Sequence, residues 1–256
     1  MKAMVSLCIT SYNRRDKLKN CIESFFMTNQ YPLDKIQVVI VDNGSDDKKT
    51  IEYIKSLNLN CNSTKVVYNE KNDYPFCLRR AKNQARLAAD GEYFIDCPDD
   101  HLFVTSSRWI ESCIEYLKIE KEKISCICHY SYPAYRFLKS NNKMSESEKN
   151  IDYHVSHLKG YADYHLMSRN AYSDIGNYRE DLSFTPNAES EYMDRSYSMG
   201  YRRALMKFPS SIINENCFRL IRPVDIDTLR NIFSHYTRPI DNESITAYLI
   251  QAGYIE

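Results

Sequence analysis

Alternation constrains this chain more than any other feature: four short apolar runs are separated by three helical patterns. Val5-Ser-Leu-Cys-Ile9, residues 36–41, Lys65-Val-Val-Tyr68 and Tyr93-Phe94-Ile95 read as buried strands. Between them run apolar stripes at helical spacing. Leu18, Cys21, Ile22, Phe25 and Phe26 form the first, Ile51, Ile54 and Leu57 the second, and Leu78, Ala81, Ala85 and Ala88, stopped by Gly91, the third. Strands that alternate with helices call for a parallel sheet with helices on its faces. The expected fold is therefore α/β: a Rossmann-like, mostly parallel sheet flanked by helices, followed by a small C-terminal helical tail.

The fourth strand ends in acid. Tyr93-Phe94-Ile95 runs into Asp96, then Cys-Pro, then Asp99 and Asp100. Open α/β sheets bind ligands beyond the carboxyl ends of their strands. Adjacent carboxylates at that edge repel each other unless a proton or a cation joins them. Mg²⁺ suits such a place, because it takes one or two carboxylates and completes its shell with water and substrate phosphates. Pro-Asp-Asp is also good turn chemistry, so this stretch alone supports a metal–diphosphate site or a solvated turn. The other strand ends favour the metal: the first stops at Thr10-Ser-Tyr-Asn-Arg14 and the second at Asp42-Asn-Gly-Ser-Asp46. Asn13 with Asp16 reads as a start box for the first helix, and Ser45 as the cap of the second.

Composition narrows the function. The formal net charge is +0, so no global field draws the chain to nucleic acid. No apolar run approaches the ~18 residues that suggest a membrane span. The opening from Met1 to Ile9 enters a strand pattern without a signal core or cleavage site. The nine cysteines, an odd number, read as reduced thiols of a cytoplasmic protein, with peripheral contact at the inner face of a membrane left open. Cys126-Ile-Cys128-His129 fits strand thiols better than the usual zinc spacings. The 21 tyrosines are expected to pack with their hydroxyls at the surface, or to line a sugar cleft.

The second half is less regular. Trp109, Ile110, Cys113, Ile114 and Leu117 form a helix face, and residues 124–128 read as a strand. Residues 130–150 are polar and aromatic and read as a long loop. With the tail from Cys217, this loop is expected to help form an acceptor side. A short strand at 164–167, a helix to Gly176, a helix at 189–199, a strand at 204–208 and two short helices at 225–236 and 244–254 complete the pattern.

Five of these stretches together resemble the GT-A-fold inverting glycosyltransferases of family 2. They are Val5-Ser-Leu-Cys-Ile-Thr-Ser-Tyr-Asn-Arg14, Val39-Ile-Val-Asp-Asn-Gly-Ser-Asp46, Ala81-Lys-Asn-Gln-Ala85, Ile95-Asp-Cys-Pro-Asp-Asp100 and Ala188-Glu-Ser-Glu-Tyr-Met-Asp-Arg-Ser-Tyr-Ser-Met-Gly-Tyr201. The resemblance covers roughly residues 4–208. It implies a GT-A domain over residues 1–216, with a nucleotide-binding half at 1–105 and an acceptor half at 106–216, and a helical extension at 217–256. Lys82 stands in the family's arginine place and Ala85 in its glycine place. The acidic motif lacks the alternating Asp-x-Asp form, and Glu189-Ser-Glu191 stands where the family often shows Glu-Asp-x-Asp.

The resemblance assigns roles. Thr10, Tyr12 and Asp42 would hold the nucleotide base, although Asp42 is also a natural turn residue. Arg14 would approach a phosphate, or simply start a solvated helix. Lys82 and Arg79 would face the diphosphate, or belong to a surface helix. Asp100 would bind Mn²⁺ or Mg²⁺, and Asp99 the metal or the ribose. Asp96 is a further candidate, or points into the sheet. His101 is within reach of a metal or phosphate, or is a polar loop residue. Glu189 is the expected base and Glu191 the second choice; both acids would also suit a helix N-terminus. The implied reaction is transfer from a nucleotide-diphosphate sugar, UDP-linked by the family's habit, to a glycan or glycolipid hydroxyl. A sugar nucleotidyltransferase fits less well, since Thr10 to Arg14 contains no glycine. A non-catalytic nucleotide-sugar-binding module conflicts with the retained acids.

Overall fold

The structure, a computed structural model, describes residues 4–72, 77–103, 108–120, 123–129, 153–156, 164–181, 185–206 and 212–214. The loop expected at 130–150, the extension at 217–256 with its two helices, and Phe208 lie outside the described residues.

The first half follows the alternation closely. β1 (Val5–Ser11), α1 (Arg15–Thr28), β2 (Ile36–Asp42), α2 (Lys48–Ser56), β3 (Ser63–Tyr68), α3 (Cys77–Ala88) and β4 (Tyr93–Pro98) appear in that order. β5 (His101–Phe103) follows after a two-residue turn, then α4 (Trp109–Ile119), β6 (Ile124–His129), β7 (Tyr153–Ser156), β8 (Tyr164–Ser168), α5 (Arg169–Ile175), α6 (Thr185–Ser198), β9 (Arg202–Met206) and β10 (Ile212–Asn214). β7 was not visible in the apolar pattern. α6 begins four residues earlier than expected, and β9 two residues earlier.

Eight strands form one sheet in the order β3-β2-β1-β4-β8-β6-β9-β7. The first four are parallel. β8 runs antiparallel to both β4 and β6, while β6 and β9 are parallel and β7 returns antiparallel. β5 and β10 form a separate antiparallel ribbon.

The period-2 alternation of strand side chains divides the core into two layers. Val5, Leu7, Ile9, Val38, Ile40, Tyr93, Ile95 and Cys97 face the α1 and α4 side, against Leu18, Ile22, Phe25, Trp109 and Ile110. Cys8, Val39, Val41 and Phe94 face the other way, against Ala81 and Ala85 of α3, Tyr172 of α5 and Tyr192 of α6. Asp96 belongs to this second face by the same alternation.

A buried carboxylate on an otherwise apolar face needs a partner, and α3 supplies it. Arg86 Nη2 donates to Asp96 Oδ2 at 2.8 Å and contacts His165 Nε2 at 3.1 Å and the Tyr178 hydroxyl at 3.0 Å. Lys82 Nζ lies 3.9 Å from the same carboxylate oxygen. The guanidinium also lies over aromatic rings, 4.4 Å from the centroid of Tyr178, 5.4 Å from Tyr192 and 5.7 Å from Tyr172. The tyrosine layer around Arg86 thus corrects the expectation of surface hydroxyls for Tyr178 and Tyr192, both of which are buried.

Burial alone would raise the Asp96 carboxyl, but Lys82 and Arg86 outweigh it and pull it to about 2. His165 is pushed down to about 3 by burial and by the cations beside it, so it is neutral at pH 7. Its Nε2 therefore accepts from Arg86, which places the proton on Nδ1.

Arg86→Met leaves the Asp96 charge buried with only the more distant Lys82. It is expected to cost about 3–5 kcal/mol of stability at neutral pH in urea unfolding. Adding Asp96→Asn should recover part of that loss, whereas strictly additive losses would show that the pair is not coupled.

Candidate functional site

The carboxyl ends of β1, β2 and β4 meet at one edge. Ser11 stands opposite Asp42, and Thr10 lies between Val41 and Pro98. Asp99 and Asp100 form the turn from β4 into β5. Thr10, Asp42, Asp99 and Asp100 are buried, while Tyr12 remains 39% exposed beyond the end of β1.

The first two loops are held against each other by Asn13. It adopts a left-handed φ of 51°, which asparagine tolerates better than most residues. Asn13 Oδ1 accepts from the backbone N–H groups of Asp46 and Asp47, both at 3.0 Å, and its Nδ2 donates to Asp46 Oδ1 at 2.6 Å. Its own N–H donates to Ser45 Oγ at 2.9 Å. Neither expected cap is therefore formed. Asn13 is engaged across the loops, so α1 starts after Arg14 without a side-chain cap. Asp47, not Ser45, caps α2 by accepting from Lys49 and Thr50 N–H. Asp42 Oδ1 accepts from Ser45 N–H at 3.1 Å, which leaves its second oxygen outside that turn. Gly44 has a φ of +80°, and a Cβ there would come within 2.3 Å of the Lys71 carbonyl carbon.

The acidic turn is asymmetric in a useful way. Asp99 Oδ2 accepts from Ser11 Oγ at 2.7 Å, and Asp100 Oδ1 pairs with His101 Nδ1 at 3.2 Å. The two remaining oxygens, Asp99 Oδ1 and Asp100 Oδ2, meet the same Arg14 Nη1 at 3.4 and 3.6 Å. His101 is fully buried as the first residue of β5, which corrects the reading of it as a polar loop residue.

The two carboxyls are shifted in opposite directions. Asp99 is raised to about 6, chiefly by burial and further by the charge of Asp100, against the opposing Ser11 and Arg14 bonds. Asp100 is also pushed up by burial, but the His101 bond and the Arg14 and Lys17 charges hold it below the usual carboxylate range.

A divalent cation fits this pair. Two hard oxygen donors already converge on one positive group, and a buried carboxylate raised to about 6 marks incomplete charge compensation. No group of three or more His, Cys, Asp or Glu residues that could hold a metal ion is gathered among the described residues. Mg²⁺ or Mn²⁺ needs no such cluster, since water and phosphate oxygens complete its shell.

The inward face of α3 carries Arg79, Lys82, Asn83 and Arg86, all buried, so the surface-helix reading of this stretch fails. Asn83 holds the chain after α5: it donates to the Tyr178 carbonyl at 3.0 Å and to Glu180 Oε1 at 2.9 Å. Lys82 lies beside Asp96, three residues before Asp99, which follows the end of the same strand.

Glu189 and Glu191 both lie within α6. Both oxygens of Glu191 accept from Arg195, at 2.8 and 3.1 Å. Arg195 also donates to the carbonyls of Ile175 and Asn177 at the end of α5. Glu191 thus helps fasten α6 to α5.

Residues 6–223 match the model of glycosyl transferase family 2. The chain belongs to that family. Its fold is that of GT-A glycosyltransferases. The mannosyltransferase PcManGT from Pyrobaculum calidifontis, solved with GDP-Man and Mn2+, superposes with a TM-score of 0.60 at 17% identity, over 82% of this chain and 58% of that one. S. aureus TarS 1-349 with UDP gives 0.60 at 13% identity, over 90% and 63%. The same protein with UDP-GlcNAc gives 0.57 at 15%, over 80% and 56%. At these identities the likeness is one of fold, and the family 2 chain spans less than two thirds of each of these structures. No curated protein sequence matches it.

The shift at Asp99 has a testable sign. Between about 4 and 6 the folded state of this family 2 chain holds the Asp99 proton that the unfolded state has released, so this group lowers stability as pH rises through that window. In chelator, Asp99→Asn is expected to raise the melting temperature at pH 7.5 by several degrees and to change it little at pH 4. An equal change at both pH values would refute the shift.

Proposed function

We propose that this chain is a metal-dependent inverting glycosyltransferase. It takes a sugar from a nucleotide-diphosphate donor, UDP-linked in the first instance, and moves it to a hydroxyl of a glycan or glycolipid acceptor in surface polysaccharide or glycoconjugate synthesis. The observation that carries the reading is the convergence of Asp99 Oδ1 and Asp100 Oδ2 on one cationic group at the sheet edge where Thr10, Tyr12 and Asp42 also end.

In this reading residues 1–105 bind the donor, residues 106–216 serve the acceptor, and 217–256 extend the acceptor side. The half-exposed Tyr12 ring stacks on the base, and Thr10 and the second oxygen of Asp42 meet its polar edge. Arg14 and Lys82 offset diphosphate charge. Asp100 and Asp99 hold Mn²⁺ or Mg²⁺, which when bound would stabilise the charge of the leaving diphosphate. Glu189 takes the proton of the acceptor hydroxyl. Glu191 is the weaker choice, because Arg195 engages both of its oxygens. The GDP-Man and Mn2+ of the mannosyltransferase and the UDP and UDP-GlcNAc of TarS support a metal and a nucleotide sugar as ligands. No helix among the described residues is long and apolar enough to cross a membrane. A glycolipid acceptor would bring the chain to the inner membrane face as a peripheral protein.

The test is a panel of UDP-, GDP- and dTDP-sugars with Mn²⁺, read by release of nucleoside diphosphate. Release is expected from at least one donor and should vanish in chelator and in Asp100→Asn. Glu189→Gln should lower turnover by roughly 10²–10⁴-fold with donor affinity nearly unchanged, and Glu191→Gln should do much less. The reverse order would transfer the role of base to Glu191. Release that is indifferent to chelator would refute the metal.

A further inference from the structure

The place where the two outward carboxylate oxygens meet is held by a side chain of the protein itself. Ser11 engages one oxygen of Asp99, and His101 one oxygen of Asp100. What each carboxylate has left points to Arg14 Nη1. We propose that Arg14 is a built-in competitor of the divalent cation, and that the donor diphosphate resolves the competition by taking the arginine away. This proposal rests on the metal reading above and adds an order to it: metal and nucleotide bind cooperatively because both relocate one guanidinium.

Three observations support the exchange. First, the distances of 3.4 and 3.6 Å exceed the 2.7–2.9 Å of a well-formed charge-assisted bond. Arg14 therefore neutralises the pair without a close fit. Second, the partners differ in freedom. The Arg14 side chain is 46% exposed, whereas those of Asp99 and Asp100 are 5% and 7% exposed. The solvent-facing partner is the arginine, so the arginine can leave while the carboxylates stay. Third, only the side chain needs to move. The backbone at Arg14 is fixed by the Asn13 bonds to the second loop and by Leu18 N–H donating to the Arg14 carbonyl at 2.9 Å.

A guanidinium and a divalent cation cannot share two carboxylate oxygens without strong like-charge repulsion. Metal alone must therefore displace Arg14 into solvent. When a diphosphate is present, the displaced fork finds an anion that matches its geometry. By linkage, whatever the nucleotide adds to metal affinity the metal adds to nucleotide affinity.

The experiment is Mn²⁺ titration of the whole chain, by calorimetry or by the electron paramagnetic resonance of free Mn²⁺, with and without UDP. Wild type, Arg14→Met, Arg14→Lys and the control Asp100→Asn are compared after thermal melts establish that each is folded. Arg14→Met is expected to bind Mn²⁺ alone at least about fivefold more tightly than wild type, with Arg14→Lys in between. UDP should then improve Mn²⁺ binding by a smaller factor in Arg14→Met than in wild type. Equal or weaker Mn²⁺ binding by Arg14→Met, with Asp100→Asn inactive in binding, overturns the exchange and leaves the metal site standing. An undiminished UDP effect overturns the diphosphate half of it. Failure of wild type and Arg14→Met alike to bind Mn²⁺ with UDP present overturns the metal reading and the exchange with it.

Discussion

The buried ion pair of Arg86 and Asp96 is the contact on which the arrangement of this molecule depends. Asp96 lies on β4, the strand that joins the parallel half of the sheet, through β1, to the mixed half, through β8. Opposite it in register stands His165. Arg86 reaches the pair from α3, and its guanidinium is covered by Tyr178 from the chain after α5 and Tyr192 from α6. One charge-assisted contact thus gathers two helices, two strands and a loop. A buried ion pair is weak evidence for net stability, but breaking it is costly. Its consequence is geometric: through Tyr192, α6 is tied to Arg86 and so to β4, the strand that runs into the Asp99–Asp100 turn.

The acidic edge follows from the same strand. β4 keeps apolar residues inward through Cys97, and the chain then turns on Asp99 and Asp100 while still largely buried. Two carboxylates so placed are tolerable only because each gives one oxygen to a neighbour and the other to a cation. The opposite shifts of the two groups express that division: the Ser11 and Arg14 bonds to Asp99 fall short of its burial, whereas His101 and the nearby cations more than offset that of Asp100. The cation proposed for this edge would complete the compensation that Ser11 and Arg14 leave unfinished at Asp99.

Much of the first half was legible in the amino-acid order because each element there carries its own period. Strands of alternating or continuous apolar residues and helices with apolar stripes placed β1 to β4 and α1 to α3 and brought Thr10, Asp42, Asp99 and Asp100 to one edge. The capping readings failed at Asn13 and Ser45, because their hydrogen bonds run between loops more than 30 residues apart in the chain. No local rule anticipates such a bond, although an asparagine next to a strand end hints at a left-handed residue. The strand state of His101 was missed because its pairing partner, Asn214 of β10, lies far along the chain. On α3, Arg79 and Lys82 were read as facing the site or lying on a surface helix, and Arg86, at the same helical spacing beside the alanine stripe, was overlooked. The mixed half was least legible, since its strand order interleaves distant segments and its apolar runs are short.

The central claim is that Asp99 and Asp100 form a cation site that receives the diphosphate of a nucleotide sugar. Anomalous diffraction at the manganese edge, from crystals grown with Mn²⁺ and UDP, tests it directly. The account predicts one strong peak bounded by Asp99 Oδ1 and Asp100 Oδ2, with the diphosphate beside it and the base near Tyr12 and Asp42. A manganese peak elsewhere, or a nucleotide bound away from this edge, would contradict it.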